Sequence, residues 1–331
     1  MHHPKPLGPR HLAGPALAAV LLAGCGGGST GTSSPAPVSS RVPVSSPAVV
    51  SSSAPGRPAA VRPVTVVDAP TRIARTDAGP VGYREVGAGR PLLLVMGLGG
   101  SMDDWQPAFV AALAAGHKVV VFDNAGVGQT ATVAPSITAM ANQASALIST
   151  LRLGRTTVLG WSMGGMIAQA LAVLHPAQVS RLILAATQPG TGAALPIPAA
   201  AAAAAASPNP AAVLSVLFPP GQAAAEHAYV AGILRYPGFY QAPRPVVAAQ
   251  ELAIRQWLTG QDPAGRDFGD VRFPTLVADG TLDQLDPVAN DRALARSVPG
   301  AKLILYPGAG HAFLFQDSAS FLAAVTRFLG A

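Results

Sequence analysis

Hydrophobic positions in this chain fall into two textures, with the boundary near Val66. Downstream of it, short continuous runs of Val, Leu and Ile alternate with stretches of helical period. The runs predict strands over 81–86, 92–95, 118–122, 156–159, 181–185, 275–278 and 302–305. Several are unbroken rather than alternating, as parallel strands buried on both faces require. Between the strands, Met166, Ile167, Ala170, Leu171 and Leu174 share one helical face, and so do Phe321, Leu322, Val325, Phe328 and Leu329 near the end of the chain. Strands alternating with helices predict an α/β fold: a mostly parallel central sheet flanked by helices.

The strand rhythm stops from about 188 to 260, which predicts a helical lid inserted between two core strands. It holds an alanine run over 199–206, then Pro208, Pro210, Pro219 and Pro220, then helix-like segments over 223–234 and 246–258. Low-complexity drift in a surface loop is the alternative reading of the alanine run.

Upstream of the boundary the texture belongs to export. Residues 1–24 carry Lys5 and Arg10 followed by an apolar stretch over 12–23, the layout of a secretory signal and too short for a membrane span. Leu22-Ala23-Gly24-Cys25 resembles a bacterial lipobox. That resemblance implies cleavage before Cys25, acylation there, and anchoring to the outer face of the bacterial cytoplasmic membrane, since two or three acyl chains hold stably where one does not. An ordinary signal peptide with a chance cysteine is the alternative. Residues 25–65 are then a Ser/Pro/Ala linker with too little bulky apolar surface to offset the entropy of ordering.

Charge changes the picture only by its location. The net charge is +6, but five of the 22 basic residues precede Asp68, leaving 17 against all 16 acidic ones. The folded part is close to neutral, with no basic stripe for phosphates, so nucleic acid is not an expected partner. Cys25 is the sole cysteine, which rules out an intrachain disulfide or a thiolate zinc site.

The chemistry concentrates at Gly160-Trp161-Ser162-Met163-Gly164-Gly165, between the strand over 156–159 and a helix. In that context G-x-S-x-G is a nucleophile elbow: a sharp turn lifts the serine above the sheet, and small flanking residues let the following helix pack closely. Ser162 is therefore the expected nucleophile. A serine needs a base, and the base needs an orienting acid, here in the chain order serine, acid, histidine. His311, in Gly308-Ala309-Gly310-His311, is the one histidine that fits the order once His227 is assigned to the lid. The acid should follow the strand over 275–278, where Asp279, Asp283 and Asp286 compete. Asp283 is favoured; Asp279 can stabilise the turn, and Asp286, before Pro287, reads as a helix N-cap. The glycine-rich loop from Met96 to Trp105 follows the strand over 92–95 and supplies a second oxyanion amide, so the backbone N–H groups of Leu98 and Met163 are the expected donors. No G-x-G-x-x-G or Walker pattern is present, and no cofactor or metal is expected.

Residues from about 72 to 330 resemble the α/β-hydrolase superfamily, in its lidded esterase, perhydrolase and C–C hydrolase branches. The glycine loop ending in Trp105, Asp123-Asn124-Ala125-Gly126-Val127-Gly128, the elbow, Asp283 with Pro287, and Gly310-His311 carry the resemblance. Met96 stands where the family usually has histidine and Ala125 where it usually has arginine. The resemblance implies an α/β-hydrolase fold over 66–331 and a serine hydrolase acting on a small to medium carboxylic ester or acyl substrate. Lactone, thioester or C–C cleavage and peracid formation use the same triad. A lipid-binding surface lipoprotein without turnover is the alternative of a different class.

Overall fold

A computed structural model of the protein describes residues 64–330. The expected signal (1–24), Cys25 and nearly all of the linker (25–65) lie outside the described residues. Eight strands form one sheet: β1 (Arg72–Thr76), β2 (Gly79–Val86), β3 (Arg90–Val95), β4 (His117–Phe122), β5 (Thr156–Trp161), β6 (Val179–Ala185), β7 (Thr275–Gly280) and β8 (Lys302–Tyr306). Their spatial order is β1-β2-β4-β3-β5-β6-β7-β8. Pairs β1–β2 and β2–β4 are antiparallel, and every pair from β4 to β8 is parallel. All seven predicted strands form, each one or two residues longer than its apolar run. β1 was not predicted. Its residues, Arg-Ile-Ala-Arg-Thr, bury only Ala74, because an edge strand has neither the apolar run nor the clean alternation that marks a covered one.

Helices cover both faces. First come α1 (Pro107–Ala114), α2 (Ile137–Thr150) and α3 (Met163–Leu174). Between β6 and β7 lie α4 (Ala199–Ala205), α5 (Pro210–Leu217), α6 (Ala223–Ile233), α7 (Arg244–Leu258) and α8 (Pro263–Arg266). The chain closes with α9 (Val288–Ser297), α10 (Phe313–Gln316) and α11 (Ser318–Leu329). Successive strand residues point to opposite faces, so each buried strand feeds two cores. Leu92, Leu94, Val119 and Val121 pack with Phe109 of α1 and Phe321 and Val325 of α11. Leu93, Val95, Val120 and Phe122 pack with Met140 of α2, Ile167 of α3 and Leu294 of α9. The continuous apolar runs are a consequence of that double coverage.

The alanine run forms α4 instead of drifting as a loop: alanine has the highest helix propensity, and Ala201 is buried against Val216 and Leu285. Pro210 opens α5, where its missing N–H costs nothing, and the Asn209 side chain accepts from Ala211 N–H at 3.1 Å. No helix among the described residues is long and apolar enough to cross a membrane.

Candidate active site

The turn between β5 and α3 holds Ser162 at φ 57° and ψ −125°, a backbone conformation that a residue with a Cβ rarely adopts. Such strain costs about 1–3 kcal/mol and persists only where the surroundings enforce it. Here they do. A Cβ on Gly160 would lie 2.2 Å from the Gly164 carbonyl oxygen, and one on Gly164 would lie 2.0 Å from that of Val95. The turn is thus pressed against its own helix and against β3 at backbone contact. Ser162 N–H donates to Ala185 O at 2.9 Å, and the Thr187 hydroxyl donates to Ser162 O at 2.8 Å. Ser162 is half-buried, and its hydroxyl makes no hydrogen bond among the described residues.

His311 reaches this turn on the loop after β8. The indole N–H of Trp161, the residue before Ser162, donates to the His311 carbonyl at 2.9 Å, and the two rings lie 5.8 Å apart. The loop is clamped further by Gly310 N–H on Gln316 Oε1 at 2.8 Å and by Ala312 N–H on Leu217 O at 3.0 Å. Asp283 is the carboxylate brought to the histidine: Nδ1 of His311 and Oδ2 of Asp283 are 2.6 Å apart, with both side chains buried. A carboxylate can only accept, so this bond uses Nδ1 of the ring as donor and leaves Nε2 to other partners. The other Asp283 oxygen accepts from the backbone N–H groups of Leu285 (2.6 Å) and Asp286 (2.9 Å).

The rival carboxylates sit behind this pair. Asp286 does not cap α9. Pro287 occupies the N-cap position, and the Asp286 side chain accepts from Asn290 Nδ2 at 3.0 Å inside the protein. Asp279 accepts from Gly280 N–H at 2.7 Å, in keeping with a turn-stabilising role. Asp279, Asp286 and Asp291 are fully buried, and oxygens of all three lie within 4.8 Å of one another. Burial raises each of them: Asp286 to about 7, Asp291 to about 9 and Asp279 well above the usual range, with their mutual repulsion adding to the effect. Asp279 Oδ2, Asp286 Oδ2 and both Asp291 carboxylate oxygens have no hydrogen-bond partner among the described residues.

The loop after β3 closes the other side. A Cβ on Gly97 would lie 3.1 Å from Ser162 Cβ and 3.7 Å from its Oγ, so the backbone carrying Leu98 passes directly beside the hydroxyl. Met163, the other expected donor, is the first residue of α3. Asn124 Nδ2 donates to Met96 O at 2.7 Å, and Asp123 Oδ1 accepts from Met102 N–H at 2.8 Å. A buried ion pair between Arg84 and Asp103 lies under the same loop. Burial also raises Asp104 to about 7 and Asp123 to about 6.

The insertion between β6 and β7 borders both loops. Aromatic residues of the insertion attach it: Tyr229 stacks on Phe315 at 4.8 Å, Tyr236 OH donates to Trp105 O at 2.7 Å, and Trp257 Nε1 donates to Gln188 O at 3.0 Å. The groups nearer the oxyanion loop are aliphatic, with Val247 of α7 lying against Gly99 and Val246 against Gly126. Gln250 of α7, which carries no sequence signal, accepts from Gly99 N–H at 2.8 Å.

Comparison with known proteins gives a consistent picture. A family model described as alpha/beta hydrolase fold matches residues 90–215. The chain is 30% identical to a protein of Variovorax paradoxus (strain S110) named "Putative carbamate hydrolase RutD", over 73% of this chain and 92% of that one. An alpha/beta hydrolase fold protein from Chitinophaga pinensis superposes with a TM-score of 0.70 at 24% identity, covering 80% of this chain and 98% of that chain. The enol-lactonase from Burkholderia xenovorans LB400 superposes with a TM-score of 0.62 at 25% identity, covering 78% and 100%.

Proposed function

As this chain belongs to the alpha/beta hydrolase family and is a hydrolase, we propose that it cleaves carboxylic esters through a Ser162–His311–Asp283 triad. The observation that carries the proposal is the pairing of a strained serine turn with a histidine whose Nδ1 is held by a buried carboxylate. The backbone strain at Ser162 costs stability and is of the kind that gathers at active sites.

In the proposed reaction, Ser162 Oγ attacks the ester carbonyl carbon while Nε2 of His311 takes the hydroxyl proton. The negative charge moves to the carbonyl oxygen, where the N–H groups of Leu98 and Met163 receive it. Collapse expels the alcohol, which leaves with the proton from His311. Water, deprotonated by the same nitrogen, then releases the carboxylic acid and restores Ser162. Asp283 stays ionised and stabilises the imidazolium at each stage. The lactone named for the similar Burkholderia xenovorans protein is a cyclic ester and needs the same steps. The carbamate in the name of the Variovorax paradoxus relative also presents a carbonyl to the same nucleophile.

The proposal includes export and a lipid anchor at Cys25, resting on the Leu22-Ala23-Gly24-Cys25 segment after a basic and then apolar start. The deciding experiment is labelling with a fluorophosphonate followed by peptide mapping, beside turnover of a p-nitrophenyl ester series. Modification at Ser162 with ester turnover is expected; an unlabelled, inactive protein would overturn the reading.

A further inference from the structure

The loop that carries Leu98 is held from two sides, and the holds differ in origin. From the core side, Asn124 and Asp123 bind Met96 O and Met102 N–H, and Asp104 accepts from Ser101 N–H at 2.8 Å. From the insertion side the loop meets α7. There Gln250, only 1% exposed, accepts from Gly99 N–H at 2.8 Å and donates from Nε2 to Ala125 O at 3.4 Å. The two contacts fix which end of the amide is oxygen, since one partner can only donate and the other only accept. Ala242 N–H, just before α7, also reaches Gly99 O at 3.4 Å.

Gly99 matters because it adjoins the expected oxyanion donor. It has φ +68°, so the chain turns directly after Leu98, and the Leu98–Gly99 peptide adjoins the Gly97–Leu98 peptide that carries the Leu98 N–H. The bond from Gly99 N–H to Gln250 fixes the Leu98–Gly99 plane, and Gly100 N–H reaches back only weakly to Gly97 O at 3.4 Å. Oxyanion donors work by being already oriented when charge develops, so a loop free to rock loses transition-state stabilisation before it loses substrate binding.

We propose that Gln250 is a positioning residue for the oxyanion hole: from the insertion helix α7 it holds Gly99 so that the Leu98 N–H faces the reacting carbonyl. This rests on the ester-hydrolase reading given above. The placement of α7 and the rate of the chemical step are then linked, and a hydrolase of this design responds to anything that displaces α7.

The test uses the full domain with Gln250→Met, similar in length but without hydrogen bonds, and Gln250→Asn, which is one methylene short of Gly99. Activity is followed on p-nitrophenyl butyrate, and binding on a trifluoromethyl ketone that captures the serine as a tetrahedral adduct. Both variants should lower kcat by about 10- to 100-fold, less than the 10²–10³-fold for loss of an oxyanion donor itself. KM should change less than about threefold, and ketone affinity should fall in step with kcat. Should Gln250→Met fail to fold by circular dichroism, Gln250→Asn is read in the same way. A folded variant with kcat and ketone affinity within twofold of wild type overturns the proposal, as does a loss confined to KM. A wild-type protein that neither turns over esters nor reacts with a fluorophosphonate would instead defeat the ester-hydrolase reading.

Discussion

Asp283 meets His311 across 2.6 Å with one carboxylate oxygen while its other oxygen is occupied by two backbone N–H groups of its own loop. The carboxylate is therefore fixed in orientation before it orients the imidazole. Asp283→Asn should keep the fold yet lower kcat on the order of 10⁴-fold, because an amide can donate to the ring and favour the wrong tautomer. Asp286→Asn, whose side chain does not touch His311, should retain most of the activity. Steady-state kinetics of the two variants side by side checks this, and a reversed pattern would assign the acid to Asp286.

Ser162→Ala and His311→Ala should each lower ester turnover by several orders of magnitude with melting temperatures close to wild type. Members of a triad act as a unit, so loss of one costs about as much as loss of all. Turnover near wild type in either variant contradicts the assignment.

The buried acids predict how stability depends on pH. Asp279, Asp286 and Asp291, with Asp104 and Asp123, all titrate higher in the folded protein than in the unfolded chain. The folded state then binds more protons than the unfolded one between the ordinary carboxylate range and about 6 to 9, so stability falls as pH rises through that window. Each group contributes at most about 1.4 kcal/mol per pH unit. Melting temperature should drop from pH 5 to pH 9, and Asp291→Asn, a neutral stand-in for the protonated acid, should flatten the slope. Calorimetry at several pH values decides, with a melting temperature that climbs over this range as the adverse result.

Gly164→Ala should damage the fold itself. Its Cβ would be placed 2.0 Å from Val95 O and 2.8 Å from Met96 O, both backbone atoms that cannot turn aside. Overpacking costs typically 1–3 kcal/mol and occasionally more; contact with backbone places this site at the upper end. A variant as stable as wild type in urea would show that β3 and the elbow separate readily.

Cys25→Ser should release the protein from membranes and leave the specific activity of the soluble form unchanged. Detergent partitioning of cell fractions measures this; equal partitioning of mutant and wild type argues against lipidation at Cys25.

Sequence alone determined the parts of this protein whose physics is local. Buried strands announced themselves as continuous apolar runs, and the elbow as a serine between glycines at a strand-to-helix junction. The chain-order rule singled out His311. The edge strand β1 escaped, since a strand with one buried residue has no pattern to show. Tertiary structure decided whatever depends on partners distant in the chain. Asp283, Asp286 and Asp279 stand within eight residues, and the sequence favours Asp283 without excluding the other two; only the fold shows which one reaches a histidine 28 residues later. Tyr229, Tyr236 and Trp257 carry no partner in the sequence, and the fold uses them to hold the insertion to the core. Gln250 lies 151 residues from Gly99 and makes its bond through a side chain that any exposed helix position could carry. Hydrophobic periodicity reports how much surface a residue buries, whereas the partner of a buried polar group is fixed only when the chain closes around it.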